Sequence, residues 1–320
     1  MLQEIAITDI ENIRIGNAED KASGTGCTVI ICKQGAPTGV DVRGGGPASR
    51  ETELLRPVAA ATAIHAVLLS GGSAFGLDAA GGVMHYLEEH GIGFPTRYAK
   101  VPLVCASCIY DLGVGSAKIR PDAAMGYTAC LASEHNLYAE GNHGVGTGAS
   151  VGKLRGRAGM MKSGMGIYAV KIGALKVGAV FAVNAVGDVY ENGKIIAGML
   201  DETGNAFACT EQVMYTLCAT KTRQQSTNTT IGIVVTNARF TKTSMNKIAA
   251  MAQNGVARAI SPIHTSADGD TVYAMSCGGI RADLDTVGTL AAEVTRRAIV
   301  RAVRSAVPAY GLKAACDIRA

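Results

Sequence analysis

The stretch STNTTIGIVVTNA, Ser226–Ala238, turns from polar to apolar between Thr230 and Ile231. A buried strand is expected over Thr230–Val235, yet the Gly or Pro turn that ordinarily precedes a strand is missing. One reading is a plain loop-to-strand junction. The other is that the chain is cut between Asn228 and Thr229. A threonine hydroxyl is a poor nucleophile without a base beside it, and the free α-amine of an N-terminal Thr is such a base. Its ordinary pKa of about 7.7–8.0 suits general base work near neutrality. That amine exists only once the preceding peptide bond is broken. The chain can break it: Thr229 Oγ attacks the Asn228 carbonyl, an N→O acyl shift gives an ester, and water hydrolyses it.

The rest of the chain narrows the choice. Gly makes up 40 of 320 residues, against a usual ~7%, with no collagen period. Such a small-residue chain points to layered α/β packing with many tight turns and close backbone approaches. Net charge is +4 and aromatics are 5%, so the stacking surface of a nucleic-acid binder is lacking. The densest basic group, Arg296, Arg297, Arg301 and Arg304, is expected to be a solvated helix face. Nine cysteines show no framework spacing, and MLQEIAITDI does not read as a secretory leader. A reducing cytoplasm is the expected compartment. Cys105 and Cys108 form a C-x-x-C on a strand-like segment, with no second pair to complete a zinc site. No apolar run approaches the ~18 residues of a membrane span.

Along the chain, GTGCTVIICKQGAPTGVDVRGGG reads as two strands separated by a Gly/Pro turn. RPVAAATAIHAVLLSGG reads as helical or strand-like toward its end. Helices are expected at SAFGLDAAGGVMHYLEEHGIG, with Leu77, Val83 and Leu87 inward and Gly91 ending it, and at RPDAAMGYTACLASEH, with Pro121 and Asp122 in the first turn. A strand-rich block follows over Lys162–Ile196, with an Asn192–Gly193 turn. NAFACTEQVMYTLCATKT is helical, and RQQSTN is a polar loop. The C-terminal third holds a helix with Ile248, Met251 and Val256 inward, a strand at DGDTVYAMSCGG, and a long helix carrying Val287, Leu290, Val294 and Ala298. The pattern predicts one domain: an αββα sandwich of mostly antiparallel sheets faced by helices.

Several motifs compete for chemistry. GNHGVGTGASVGKLRG fails as a phosphate loop, because Thr147 stands at the required Gly and Leu154 follows Lys153. It fails the dinucleotide pattern at Val151. It remains either a packing loop or a pocket wall presenting Lys153. The six histidines show no metal-binding spacing, so no metal is expected. SGGSAFG only approaches a nucleophile elbow, which leaves Ser73 a weak candidate. In HTSADGDTVYA, Asp268 and Asp270 form either a turn or, two apart on a strand, a carboxylate pair on one face.

Taken together, ITDIENIRIGNAED, GVDVRGGGPASRETELLRP, LSGGSAFGLDAAGGVMHYLEE, GVGTGASVGK, VGAVFAVNAVGDV, NTTIGIVVTNA and HTSADGDTVYA make the sequence resemble the DmpA-type L-aminopeptidase/D-esterase family over nearly its whole length. That family includes β-peptidyl aminopeptidases and nylon-oligomer hydrolases. The resemblance implies a four-layer αββα fold like that of N-terminal-nucleophile hydrolases, with its own connectivity. It implies self-cleavage into an α chain, 1–228, and a β chain, 229–320, assembled as tetramers of such pairs. It implies Thr229 as nucleophile and its amine as base, and Asn184 as oxyanion donor. Asp268 and Asp270 would bond the nucleophile and its amine, and Lys153 and Tyr110 would line the pocket. No cofactor is implied. The partner is a small peptide or amide substrate, with no nucleic acid or membrane.

One departure bears on specificity. The β-aminopeptidases carry a Glu near CASCIYDLG for the substrate's ammonium group; this chain has Ser107 and Asp111. With Thr as nucleophile and Asp-Gly-Asp as acid pair, it looks more like the nylon-oligomer branch. The expected activity is a self-processing hydrolase of small peptides, amides or esters. An amino-acid acetyltransferase of the ornithine-acetyltransferase type and a non-cleaving scaffold are the alternatives.

Overall fold

The computed structural model describes residues 2–219 and 228–318. Most of the expected loop RQQSTN therefore lies outside the described residues. The chain lays down β1 (Gln3–Ile5), β2 (Arg14–Asp20), β3 (Thr25–Ala36), β4 (Thr38–Val42), β5 (Ser49–Arg50) and β6 (Ile64–Ser70). Then come α1 (Ala79–Glu89), β7 (Val104–Cys108), α2 (Ala123–Glu134), β8 (Met165–Ile172), β9 (Leu175–Asn184) and α3 (Thr210–Ala219). The last part is β10 (Thr229–Ala238), α4 (Lys242–Ala259), β11 (Thr271–Ile280) and α5 (Leu284–Arg304). Shorter strands and 3-10 turns fill the connections.

One sheet has six strands in the order β1-β8-β9-β10-β11-β4, the other five in the order β2-β3-β6-β7-β5. Pairing is antiparallel except for β10 with β11 and β6 with β7. Strand alternation builds the layers. On β10, Ile231, Ile233 and Val235 enter the core between the sheets, where Ile15, Ile30, Val67 and Leu69 of the second sheet meet them. Val234 points the other way, onto Ile248 and Val256 of α4 and Val287, Val294 and Ala298 of α5. On the far side of the second sheet, Val29, Ile31 and Leu68 pack on Val83 and Leu87 of α1 and Ala129 of α2. The order is helix, sheet, sheet, helix, as the sequence pattern predicted.

Local chemistry explains the boundaries. Asp122, Thr241 and Asp283 each cap a helix by accepting the backbone N–H three residues on, an interaction worth about 1 kcal/mol. Asp122 thus stands just before α2 rather than inside its first turn. Asn192 and Gly193 take positive φ of 52° and 78°, closing the expected hairpin turn. Gly232 sits opposite Phe181, and a Cβ there would fall 2.4 Å from the buried Phe ring, so the strand carries no side chain at that point. The late arginines are ion-paired as well as solvated. Arg296 and Arg297 bond Glu293, Arg301 bonds Glu4, and Arg304 bonds Glu191.

Three details refine the sequence pattern. The strands flanking Pro37 do not pair: β3 lies in one sheet and β4 in the other, so Pro37 marks a crossing between layers. Of the two readings of the Ala-rich segment, the strand at its end holds as β6; ahead of it, with Pro57 and no apolar stripe, the chain stays irregular. The strand expected to end at Val235 runs on to Ala238, because Asn237 bonds the backbone of Lys176 and the side chain of Glu11.

Candidate active site

Thr229 is buried at the first position of β10, directly opposite Asn184, the last residue of β9. It shares strand parity with Ile231 and Ile233, so its side chain faces the space between the sheets. Its hydroxyl donates to the carbonyl of Asn228, and that carbonyl also accepts the Gly269 N–H at 2.9 Å. Asn228 forms an isolated parallel bridge with Asp268, which holds the Asn228–Thr229 bond against the Asp-Gly-Asp segment.

Asp268 and Asp270 lie just ahead of β11 rather than on it, so of the two readings the turn leading into the strand holds, not the strand pair. Their surroundings differ. Asp270 accepts three N–H groups: Thr230 at 2.6 Å, the His264 backbone at 3.1 Å and the His264 ring at 2.9 Å. Asp268 accepts the Thr265 N–H at 2.6 Å on Oδ2, while its buried Oδ1 has no partner among the described residues. Burial, and then the neighbouring Asp270, push the Asp268 carboxyl up to about 6.

Asn184 is fixed at both ends of its amide. Ser150 donates its N–H at 3.2 Å and its hydroxyl at 3.5 Å to Oδ1, and Nδ2 donates to the Tyr110 carbonyl at 3.0 Å. Tyr110 is half-buried, and this carbonyl is how it meets the cluster. Ser150 is held in turn by the short pairing of Ser150–Val151 with Met161–Lys162. The buried Lys162 ammonium donates to the carbonyls of Gly146, Ala149 and Ser163, which pins the glycine loop.

Lys153 is buried too, and its Nζ has no hydrogen-bond partner among the described residues. Burial drives it down to about 7, against the pull of Asp111 and Asp268. The sign of the linked stability follows. The unfolded chain holds this proton up to about 10.5, so the buried lysine destabilises the fold most below about pH 7 and less as pH rises toward 10.5. Lys153→Met should therefore raise the thermal midpoint near neutrality, with a gain that shrinks at alkaline pH. A gain independent of pH would mean that the lysine charge is not what strains the site.

Ser107 and Asp111, where an ammonium-binding acid would stand, are buried and committed. Ser107 shares a hydrogen bond with Tyr273, and Asp111 accepts from Thr25 Oγ1 at 2.7 Å and the Gly72 N–H at 2.7 Å. Ser73 opens a 3-10 turn, and among the described residues no hydrogen bond joins its hydroxyl to a histidine. The C-x-x-C is buried in β7; Cys105 is pushed up to about 12, and burial raises Cys108 as well. These thiols pack rather than react.

Some contributors escaped the sequence reading. Ser150 and His264 orient Asn184 and Asp270 but belong to no recognised spacing. Gly44–Gly46 backs the acid loop, with the Gly46 N–H donating to the Asp268 carbonyl at 2.8 Å. A Cβ on Gly44 would lie 2.2 Å from that same carbonyl oxygen. The run of three glycines was a visible signal of such close approach.

A sequence profile described as "Peptidase family S58" matches residues 6–316. The chain belongs to peptidase family S58. An uncharacterized aminopeptidase of Mycobacterium leprae is 36% identical to this S58 peptidase, over 98% of this chain and 94% of that protein. A 6-aminohexanoate-oligomer endohydrolase of Kocuria sp. is 30% identical over 92% of this chain and 85% of that one. Among solved structures, a Burkholderia sp. beta-aminopeptidase superposes with TM-score 0.69 at 19% identity, covering 97% of this chain and 90% of that one. The L-aminopeptidase D-Ala-esterase/amidase of Ochrobactrum anthropi, described as a variant of the Ntn hydrolase fold, superposes with TM-score 0.71 at 17% identity, covering 94% and 86%. The fold of this S58 peptidase is therefore the N-terminal-nucleophile-hydrolase sandwich, and the chain is a peptide or amide hydrolase. Among the described residues, no helix is long and apolar enough to cross a membrane.

Proposed function

We propose that the chain cuts itself between Asn228 and Thr229 and that the new N-terminal Thr229 then hydrolyses amide bonds of small peptides and oligoamides. The observation that carries this is the Thr229 hydroxyl bonded to the carbonyl of the bond to be broken, on a backbone bridged to Asp268, whose buried Oδ1 has no partner among the described residues. In the uncut chain the Thr229 nitrogen is an amide and cannot act as base. Asp268, raised to about 6 yet largely ionised near neutrality, takes the hydroxyl proton in that first reaction. Afterwards the freed amine is the base for each turnover. Asn184 then stabilises the oxyanion of the acyl-transfer step, and Asp270 holds Thr230 and the His264 turn in register. Lys153 and Tyr110 line the acyl pocket. The two fragments, 1–228 and 229–320, stay together as one αβ unit, and such units assemble into tetramers.

Because Ser107 and Asp111 are committed to internal bonds, no carboxylate is free at that position to demand an α-ammonium group. Substrates with a blocked amino end should therefore be cut about as well as free ones. The deciding experiment is an intact mass under denaturing conditions, followed by hydrolysis of an aminohexanoate oligoamide with and without N-acetylation. Fragments matching 1–228 and 229–320 support the nucleophile. A stable 320-residue chain rejects it, and cleavage confined to free-amine substrates rejects the specificity.

A further inference from the structure

Peptide self-cleavage needs more than a nucleophile and a base. When Thr229 Oγ bonds to the Asn228 carbonyl carbon, the π-electron pair moves to the carbonyl oxygen, and the charge must be met by a donor already in place. The Gly269 N–H points at that oxygen from 2.9 Å, inside the 2.7–3.1 Å range over which such donors act. The geometry points to the backbone N–H of Gly269 as the oxyanion donor of self-cleavage, an inference that rests on the proposed cut at Asn228–Thr229.

Three features place the donor. The isolated bridge between Asn228 and Asp268 sets the two backbones side by side, so that the N–H after Asp268 meets the carbonyl before Thr229. The glycine loop behind it fixes the turn from the far side, through the Gly46 N–H to the Asp268 carbonyl and the Arg43 N–H to the Asp270 carbonyl, at 2.8 and 3.0 Å. A side chain at the position itself would be crowded against both the nucleophile and the glycine loop. A Cβ on residue 269 would lie 3.0 Å from Thr229 Oγ1, 3.2 Å from its methyl and 3.0 Å from the Gly46 carbonyl. The glycine between the two acids is thus the residue that lets a backbone donor and the nucleophile share one carbonyl.

The step balances. The Oγ–C bond forms while the hydroxyl proton passes to Asp268 and the oxyanion rests on the Gly269 N–H. Collapse restores the carbonyl, breaks the C–N bond and returns a proton to the departing Thr229 nitrogen. Water then hydrolyses the ester, leaving an Asn228 carboxylate and a free Thr229 hydroxyl.

The test replaces Gly269 with glycolic acid by nonsense suppression, which exchanges the N–H for an ester oxygen and adds no bulk. Freshly made chains are followed by intact mass, with the thermal midpoint measured in parallel. The glycolate chain should cut itself about 10²–10³-fold more slowly than the unaltered chain. Equal rates overturn the inference while leaving the proposed cut intact; an unaltered chain that never cuts overturns the proposed cut instead. Should the glycolate chain fail to fold, hydrogen exchange on uncut Thr229→Ala decides. A protected Gly269 amide supports the donor, and one exchanging at the rate of a free amide overturns it.

Discussion

Thr229→Ala should remain one 320-residue chain and show no hydrolysis. Alanine preserves the start of β10, since the strand is held by backbone pairing with Asn184 and by the Thr230 N–H on Asp270. What it removes is the hydroxyl bonded to the Asn228 carbonyl. Without it no ester forms, no amine is released, and the second reaction has neither nucleophile nor base. The expected loss is on the order of 10⁶ in turnover, the scale seen when a hydrolase loses its nucleophile. Intact mass and an oligoamide assay on the same preparation read both effects. Thr229→Ser, which keeps the hydroxyl, should still cut. A Thr229→Ala chain that processes normally would remove Thr229 from the mechanism.

Asn184→Ala should lower kcat by about 10²–10³ with little change in KM, because a donor aimed at the developing oxyanion acts in the transition state rather than on bound substrate. The substitution also strips partners from the Ser150 N–H and the Tyr110 carbonyl, both drawn into the site by this one amide. Leaving such groups unsatisfied costs about 1–3 kcal/mol each in stability, so an unfolding midpoint must accompany the kinetics. A fully folded variant with near-normal kcat would place the oxyanion donor elsewhere.

The layer order was legible because apolar strand runs are flanked by helical segments, of which α4 and α5 carry clear apolar stripes and capping residues. The crossing at Pro37 was not. A Gly/Pro break between two strands looks the same whether the strands pair or part, and only the partners of β4 across the sandwich decide it. Of the site, Asn228, Thr229, Asn184 and the acid pair fall in contiguous motifs and come together in space. Asp-Gly-Asp abutting an apolar run fits either a turn or a strand pair; the packing of Gly44–Gly46, more than 200 residues earlier, decides for the turn. Ser150 and His264 act through a backbone N–H and a ring nitrogen on other site residues, and no spacing in the chain announces such second partners. The buried state of Lys153 was invisible as well, because the sequence does not show that its backbone N–H meets the Val186 carbonyl, which draws the residue inward.

The strand order of the six-stranded sheet has a further consequence. β10 and β11 follow the proposed cut, yet they lie between β9 and β4, which precede it. The two products of cleavage are thus interleaved like the fingers of clasped hands, each side of the shorter piece zipped to the longer. Neither can leave without tearing open the sheet through its middle. Maturation then converts a folding reaction of one molecule into an assembly of two. The cut protein should persist for as long as it stays folded, but once melted its return should depend on concentration, as the precursor's does not.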